Sequence, residues 1–509
     1  MNSRSSRFLW GVGLNYLNFG IVTLTGLWLT RFLLATVGVE AMGSWVQLVQ
    51  GTAFLSLLDL GVLALMPRDI AVAFGQVEST TKLPGLIGRY VKVVLWQTPL
   101  VGFAALVGWW LMTTAEPTVA VPLAIVLTGY TVLFPFRIGG AILGGLQDLR
   151  FIGIGQLIGY LAGTLATIGL AVAGYGLYSL AVGWLTNQVT ILILMWWRIR
   201  IRHKSVLPNQ LPELKWVLVR GMLTTGCWAS LSTLGVMLTG NLDILAIGRF
   251  QDALEVLKYA FTAKLVMLLA SQVTALCVMV LPGMADLRAS GDEAKTGRVL
   301  TAYTQLILVF SGWFGCVLLM CNSSFISLWV GNEYNFDFPV TTILVLVMTL
   351  RHWQNSLAVG MFLYNREKIL WMTTCVEGVI NAIAMFVFAS YGAEWVCLAG
   401  LFGSLLVFLP TGVVTLQRTN QWSIVVHLKA VSWWLVRFIP LASLIISIHQ
   451  FWRPGTVVQL LLAFLVVSCL YAGVMLSPVL KSELGVYLQP NLAAAKSRFF
   501  AAALHKVAI

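Results

Sequence analysis

Charge is what this chain has least of. Only 10% of its 509 residues are Asp, Glu, Lys or Arg, against roughly a quarter in soluble domains, while 59% are hydrophobic. A soluble globular domain is excluded, and no stretch is left over to form one. Acidic groups are scarcest, 19 against 32 Lys and Arg. In the outward loops they stand singly, as Glu40, Glu116, Asp252, Glu255, Glu333, Asp337 and Glu394. The five His are also isolated, and no Gly-rich phosphate cradle occurs in its required context. With no carboxylate or His constellation for acid–base work, an enzyme is not expected, and an ATP-driven motor within this chain is excluded. Cys227, Cys277, Cys316, Cys321, Cys375, Cys397 and Cys469 show no CxxC spacing and fall inside or at the ends of apolar runs. They read as small packing residues, so neither disulfides, nor a metal site, nor a cofactor is expected.

What the chain has is apolar runs long enough to cross a hydrocarbon core of about 30 Å. They cover 10–35, 43–66, 90–112, 119–147, 152–173, 176–197, 221–248, 258–281, 299–321, 338–364, 371–390, 393–417, 430–449 and 456–478. Continuous runs favour helices, because barrel strands would alternate over about ten residues. The expectation is an all-α integral membrane protein with about 14 transmembrane helices. Twelve or thirteen stay open, because the hairpin around Gly174-Tyr175-Gly176 and the final pair are the weakest spans. The apolar region after MNSRSSRFLW is too long for a signal peptide and reads as the first span.

Lys and Arg choose the side of the membrane. With both termini and the even-numbered loops together, one side collects 24 of the 32, including the run WWRIRIRHK; Arg249, Lys258 and Arg453 face the other side, and five lie within spans. Both termini are therefore expected in the cytoplasm of a multi-pass protein of the cell (inner) membrane. The net charge of +13 follows this pattern and suits anionic lipid headgroups, so nucleic acid is not an expected partner. The pairs Trp109-Trp110, Trp196-Trp197 and Trp433-Trp434 at span ends read as interfacial anchors.

The chain also repeats itself weakly. The second span leads into Met66-Pro67 and a basic loop, and the eighth into Leu281-Pro282 and DLRASGDEAKTGR. This suggests a six-helix bundle at 1–197, a basic connector at 198–220, a related six-helix bundle at 221–417, and two added helices with a tail at 418–509. Two related bundles about a central site form a transporter layout with alternating access. The longest outward loop, CNSSFISLWVGNEYNFD, is short for the extramembrane surface that a lipid-linked-sugar polymerase or ligase needs, which makes that class the rival reading.

Seven stretches carry a family resemblance: LTRFLLATVGVEAMGSWVQ, LLDLG with Pro67-Arg68, GLQDLRF, NLDILAIGRFQDALEVLKYA, LPGMADLRASGDEAK, LWVGNEY and LYNREKILWMTTCVEGVINAI. In this order and spacing, over most of 10–417, they make the chain similar to the Wzx-type polysaccharide-unit flippases of the multidrug/oligosaccharidyl-lipid/polysaccharide (MOP) exporter superfamily. Leu257-Lys258-Tyr259 departs from the family's Gly-x-Tyr, and fourteen spans also resemble the lipid II flippases; a multidrug or cation antiporter of the superfamily is the further alternative. The resemblance implies movement of undecaprenyl-pyrophosphate-linked O-antigen or exopolysaccharide units, with a polysaccharide polymerase and chain-length machinery as partners. The energy source is open, a proton or sodium gradient among the candidates.

Such cargo needs a wet, cationic cavity, since isolated charge in hydrocarbon is costly. Within the spans Arg31, Arg137, Lys264, Arg351 and Arg437 stand against Asp59, Asp243 and Glu377. Arg137 and Arg351 lie deepest and are the first candidates for pyrophosphate or first sugar, because a guanidinium binds phosphate oxygens bidentately. Arg31 and Lys264 follow as cavity cations, Lys264 being placed to snorkel instead. Asp243, Glu377 and Asp59 are candidates for gating or coupling. Asp243 has Arg31 as its expected partner, Glu377 has Arg437, and for Asp59 a folding role is favoured. Trp353, in the mid-span set Arg351-His352-Trp353-Gln354-Asn355, is a candidate for sugar stacking or lipid exposure.

Overall fold

The computed structural model describes residues 4–74, 79–115, 117–208, 210–213, 216–289, 292–336, 338–419, 423–482 and 484–486. Glu116, Lys215, Asp337 and the cationic C-terminal tail, which entered the charge reading, lie outside the described residues. Among the described residues there is no strand.

Two compact units form, Met1–Met237 with Asp252–Leu257, and Leu238–Gln251 with Lys258–Ile509. The first contains α1 (Arg4–Val37), α2 (Val39–Ala53), α3 (Val62–Phe74), α4 (Ser79–Ala115), α5 (Ala120–Leu133), α6 (Ile138–Gly145), α7 (Leu149–Val172), α8 (Leu177–Arg202) and most of α9 (Trp216–Gly240). The second contains α10 (Leu242–Phe250), most of α11 (Ala253–Ala289), α12 (Glu293–Trp329), α13 (Phe338–Leu363), α14 (Glu367–Phe388), α15 (Ala393–Ala399), α16 (Leu409–Gln417), α17 (Ile424–Phe451) and α18 (Val457–Leu480).

Every expected span falls on helix, and the all-α membrane class stands. Among the described residues 11 helices are long and apolar enough to cross a membrane, or 12 with the bent pair Val39–Asp59 and Val62–Phe74 counted as one, against about fourteen expected. The expected spans on α11 and α13 are not among these. In α13 the reason is the polar set Arg351, His352, Gln354 and Asn355 at its middle.

Four expected spans that read as continuous are broken, which corrects their outline. The second bends by 50° between 3-10 segment Phe54–Asp59 and α3. The fourth changes to a 3-10 turn over Phe134–Arg137, where Pro135 cannot donate to the helical ladder. The seventh stops at Gly240 and restarts at Leu242, and the twelfth passes through a π-helical turn at Ser404–Phe408. At the first break Leu60 takes φ 47° and Gly61 φ 69°. A leucine rarely adopts this left-handed region, so surrounding contacts must hold it there. Gly61 has a second reason to lack a side chain, since a Cβ would lie 2.5 Å from the Gly226 carbonyl oxygen.

The first unit's core gathers Met66 and Ile70 of α3, Ile87 and Val94 of α4, Phe134 of the 3-10 turn, Ile142 and Leu143 of α6, and Ile199 of α8. The second gathers Val273, Leu300, Ile307, Leu357, Met361 and Leu416 from α11, α12, α13 and α16. Between α7 and α8, Gly155, Gly159 and Gly163 face Met195, Ile191 and Asn187, and a Cβ on Gly163 would meet Asn187 Cβ at 2.7 Å. Such small-residue stripes let helices approach where lipid supplies no hydrophobic drive. One ring of each tryptophan pair is held by a hydrogen bond within the protein. Trp109 donates to the Ala120 carbonyl at 2.8 Å, Trp196 to that of Phe136 at 2.9 Å, and fully buried Trp434 to the Tyr471 hydroxyl at 3.3 Å. Trp110 and Trp197 remain exposed.

Candidate functional site

A broken helix leaves N–H and C=O groups without intrahelical partners, and in a bilayer these must be satisfied from within the protein. Several of the intramembrane polar residues lie at those breaks. Asp59 accepts the Gly61 N–H at 2.7 Å, while Gln97 donates to the Asp59 carbonyl at 2.9 Å. Asp243, in the first turn of α10, accepts the Ile244 N–H at 2.8 Å. Arg351 donates to the Thr239 carbonyl at 2.5 Å, near the free C-terminal end of α9. Asn381 accepts the Gly403 N–H at 2.7 Å beside the π turn.

In the second unit these groups converge. The Tyr259 hydroxyl donates to the other Asp243 oxygen at 2.5 Å, and both residues are buried. Asp243 and Glu377 are the acids whose charge acts on Arg351. Its half-buried guanidinium packs between Gly240 and Gly400, and its Nε is shielded without a partner. Thr239, Asp243, Tyr259, Met267, Arg351 and Cys397 are among the residues lining a cavity of about 160 Å³, below the usual size of a small-molecule site. Next to it Glu377 accepts from Gln354 at 3.0 Å and from Ser404 at 2.6 Å. A π turn shifts the helical register by one residue, which aims the Ser404 hydroxyl at that carboxylate.

The first unit holds its arginine differently. Arg137 ends the 3-10 turn exposed, with its guanidinium over the Tyr130 ring at 5.3 Å and donating to the Tyr130 hydroxyl at 2.6 Å. Together with Thr52, Ser56, Trp184 and Gln188 it lines a cavity of about 310 Å³, within the usual range for ligands. Asp59 feels its field.

The remaining candidates are placed apart. Arg31 is exposed on α1 of the first unit, and Asp243 has partners within its own unit, Tyr259 and the Ile244 N–H. Lys264 is exposed on α11 and does not line the Arg351 cavity. Glu377 is held by Gln354 and Ser404 instead of the expected Arg437, which donates to the Trp433 carbonyl at 2.6 Å and lies over that ring. Trp353 donates to His427 at 2.9 Å, and His352 is fixed between Ser311 and the Ala270 carbonyl. Among the described residues no group of His, Cys, Asp and Glu could hold a metal ion.

Outside the spans, Asp148 in GLQDLRF meets Arg198 at 2.7 Å and His203 at 3.7 Å. Partial burial raises its carboxyl, but the Arg198 hydrogen bond and charge with those of His203 outweigh this and hold it below the ordinary value. Arg198 also stacks on Phe151 at 4.8 Å.

Sequence reasoning missed Tyr259, Thr239, Ser404 and Tyr130 as site residues. Tyr130 alone had a signal, two helical turns before Arg137 and so on the same face.

Residues 147–339 match the family described as polysaccharide biosynthesis protein. The match includes Asp243, Tyr259 and Lys264, and ends before Arg351. A Salmonella typhi protein named "Putative O-antigen transporter" is 24% identical over 172 residues, which is 33% of this chain and 39% of that protein. Among solved structures, the lipid II flippase MurJ in an inward closed conformation aligns with TM-score 0.66 and 11% identity, covering 93% of this chain and all of that one. An outward-facing multidrug resistance MATE family transporter of the MOP superfamily aligns with TM-score 0.54 and 12% identity, over 79% of this chain and 93% of that one. The chain is therefore a multi-pass membrane protein that shares its fold with the lipid II flippase MurJ and with a MATE transporter, and carries a polysaccharide-biosynthesis match across residues 147–339.

Proposed function

We propose that this protein is a flippase that moves an undecaprenyl-pyrophosphate-linked oligosaccharide unit from the cytoplasmic to the outer leaflet of the cytoplasmic membrane. It works by alternating access without covalent chemistry, with both termini in the cytoplasm. The observation that carries this reading is the Arg137 cavity, where an exposed guanidinium stands among Thr52, Ser56, Gln188 and Trp184 inside an otherwise apolar helical unit. An arginine fork suits a pyrophosphate, and hydroxyls, an amide and an indole suit sugar. Arg351 and Asp243 clamp the break between Gly240 and Leu242 within the second unit, Arg351 through the Thr239 carbonyl and Asp243 through Tyr259 and the Ile244 N–H. A proton or sodium gradient supplies the energy, and a polymerase with chain-length machinery consumes the product.

The lipid II flippase remains the second reading on the strength of the fold. The polysaccharide-biosynthesis match and the name of the Salmonella typhi relative favour the repeat unit. The test is the sidedness of lipid-linked oligosaccharide in spheroplasts depleted of the protein, read with a membrane-impermeant glycosidase or lectin. Accumulation on the cytoplasmic leaflet is expected; outward exposure of unpolymerised units points to a polymerase or ligase and overturns the reading.

A further inference from the structure

On the lipid-facing side of the first unit a trough runs between α5, with its 3-10 extension, and α8. Its inner part, about 550 Å³, is lined by Leu133, Phe136, Ile193, Trp196, Trp197 and Arg200, with Val189 and Leu192. An adjoining part of about 520 Å³ shares Leu133 and Val189 with it and continues past Gly129 and Leu185. Gly129 leaves the space, since a Cβ there would lie 2.7 Å from Leu185 Cδ1.

From Leu185 to Arg200 α8 rises about 22 Å, more than the depth of one leaflet, which is about half of a 30 Å hydrocarbon core. The wall is apolar along its length and ends in one cation. Phe136, Ile193 and Trp197 are exposed along it. Trp196 is held in place by its bond to the Phe136 carbonyl. Arg198 is engaged by Asp148 and Phe151, so Arg200, exposed on the groove face, is the cation offered to an occupant.

The geometry points to a binding site for an anionic phospholipid of the cytoplasmic leaflet, its acyl chains along the α5–α8 trough and its phosphate on Arg200. A phospholipid matches both halves of the site, an apolar body one leaflet deep and a negative head at the end where the Lys and Arg distribution places the cytoplasm. Basic pockets between transmembrane helices on that side are suited to such head groups. The site lies within the first unit, and its assignment does not depend on which cargo the protein carries.

Native mass spectrometry of the full chain in detergent, titrated with phosphatidylglycerol or phosphatidylethanolamine, tests this. The intact protein should retain phosphatidylglycerol in preference to phosphatidylethanolamine. Arg200→Ala should weaken phosphatidylglycerol binding about five-fold, the size of one lost cation at a lipid surface, with Arg200→Lys near the parent. Arg202→Ala, in the same last helical turn but outside the groove lining, should change nothing, which separates head-group binding from a helix-end effect. Val189→Trp, filling the trough, should lower retention of both lipids. Equal retention of the two lipids by the intact protein, indifference to both Arg200→Ala and Val189→Trp, or displacement of phosphatidylglycerol by equimolar inorganic phosphate would each overturn the assignment.

Discussion

Two arginines, each in the fourth expected span of its half of the chain, meet opposite fates. Arg137 stands exposed in a cavity of about 310 Å³ and leans on one tyrosine. Arg351 is half-buried, caps the Thr239 carbonyl, and lies in the field of Asp243 and Glu377 in a cavity of about 160 Å³. Their chemistry is the same, but one stands exposed and the other is half-buried and tied to a backbone carbonyl. Both stand at a broken helix, but the Thr239 carbonyl takes a donor from Arg351, whereas at the other break the Phe136 carbonyl is already taken by Trp196.

This contrast is open to mutation. The largest effect should come from Asp243→Ala, which leaves the buried Tyr259 hydroxyl and the Ile244 N–H without their acceptor: stability should fall by about 2–5 kcal/mol, the scale for two orphaned buried donors, with loss of membrane abundance. Arg351→Ala should do the same, and the double variant should lose less than the sum. Normal abundance of Arg351→Ala with export abolished would erase the distinction between the arginines. Next, Arg137→Ala should leave abundance unchanged and lower surface polysaccharide about 10- to 100-fold, the worth of a charge-assisted hydrogen bond of about 1.5–3 kcal/mol. Arg137→Lys should fall between. If Arg137→Ala instead destabilises the protein in detergent melting, its cavity is a clamp as well.

Gly403→Val should cost about 1–3 kcal/mol, since a Cβ there would run into the Glu377 carbonyl and lie 2.9 Å from Asn381 Oδ1; a shifted melting temperature reads it. The smallest effect is acid sensitivity at Asp148. Its folded value is depressed, so its contribution is fully present above the ordinary carboxylate value of about 4 and is lost as pH falls through the lower folded value. Asp148→Asn should therefore flatten the acid limb of a stability profile, modestly, because the pair is partly solvated.

What Asp243 does among the leucines of MLTGNLDILAIG is to hold the start of α10, where it accepts the Ile244 N–H. Part of the answer was legible nearby: Gly240-Asn241 before Asp243, Gly61 after Asp59, and Pro135 before Arg137 each announce a chain that cannot continue as a plain helix. Arg31 as the partner of Asp243 rested on matched depth along two helices, and depth says nothing of which way a side chain faces. Tyr259, sixteen residues on, and Ser404, twenty-seven residues beyond Glu377, are partners that no local pattern announces.

The sequence by itself determined the solvent and the class. Apolar length is a one-dimensional quantity that a bilayer reads directly, so the helical segments could be placed on the chain before any packing was known, although 11 or 12 of them, not fourteen, are long and apolar enough to cross among the described residues. The tertiary structure decided which intramembrane charges are available. Availability depends on whether a neighbouring helix is broken, where its freed carbonyl points and which hydroxyl reaches the carboxylate first, and these are set when helices distant in the chain pack side by side.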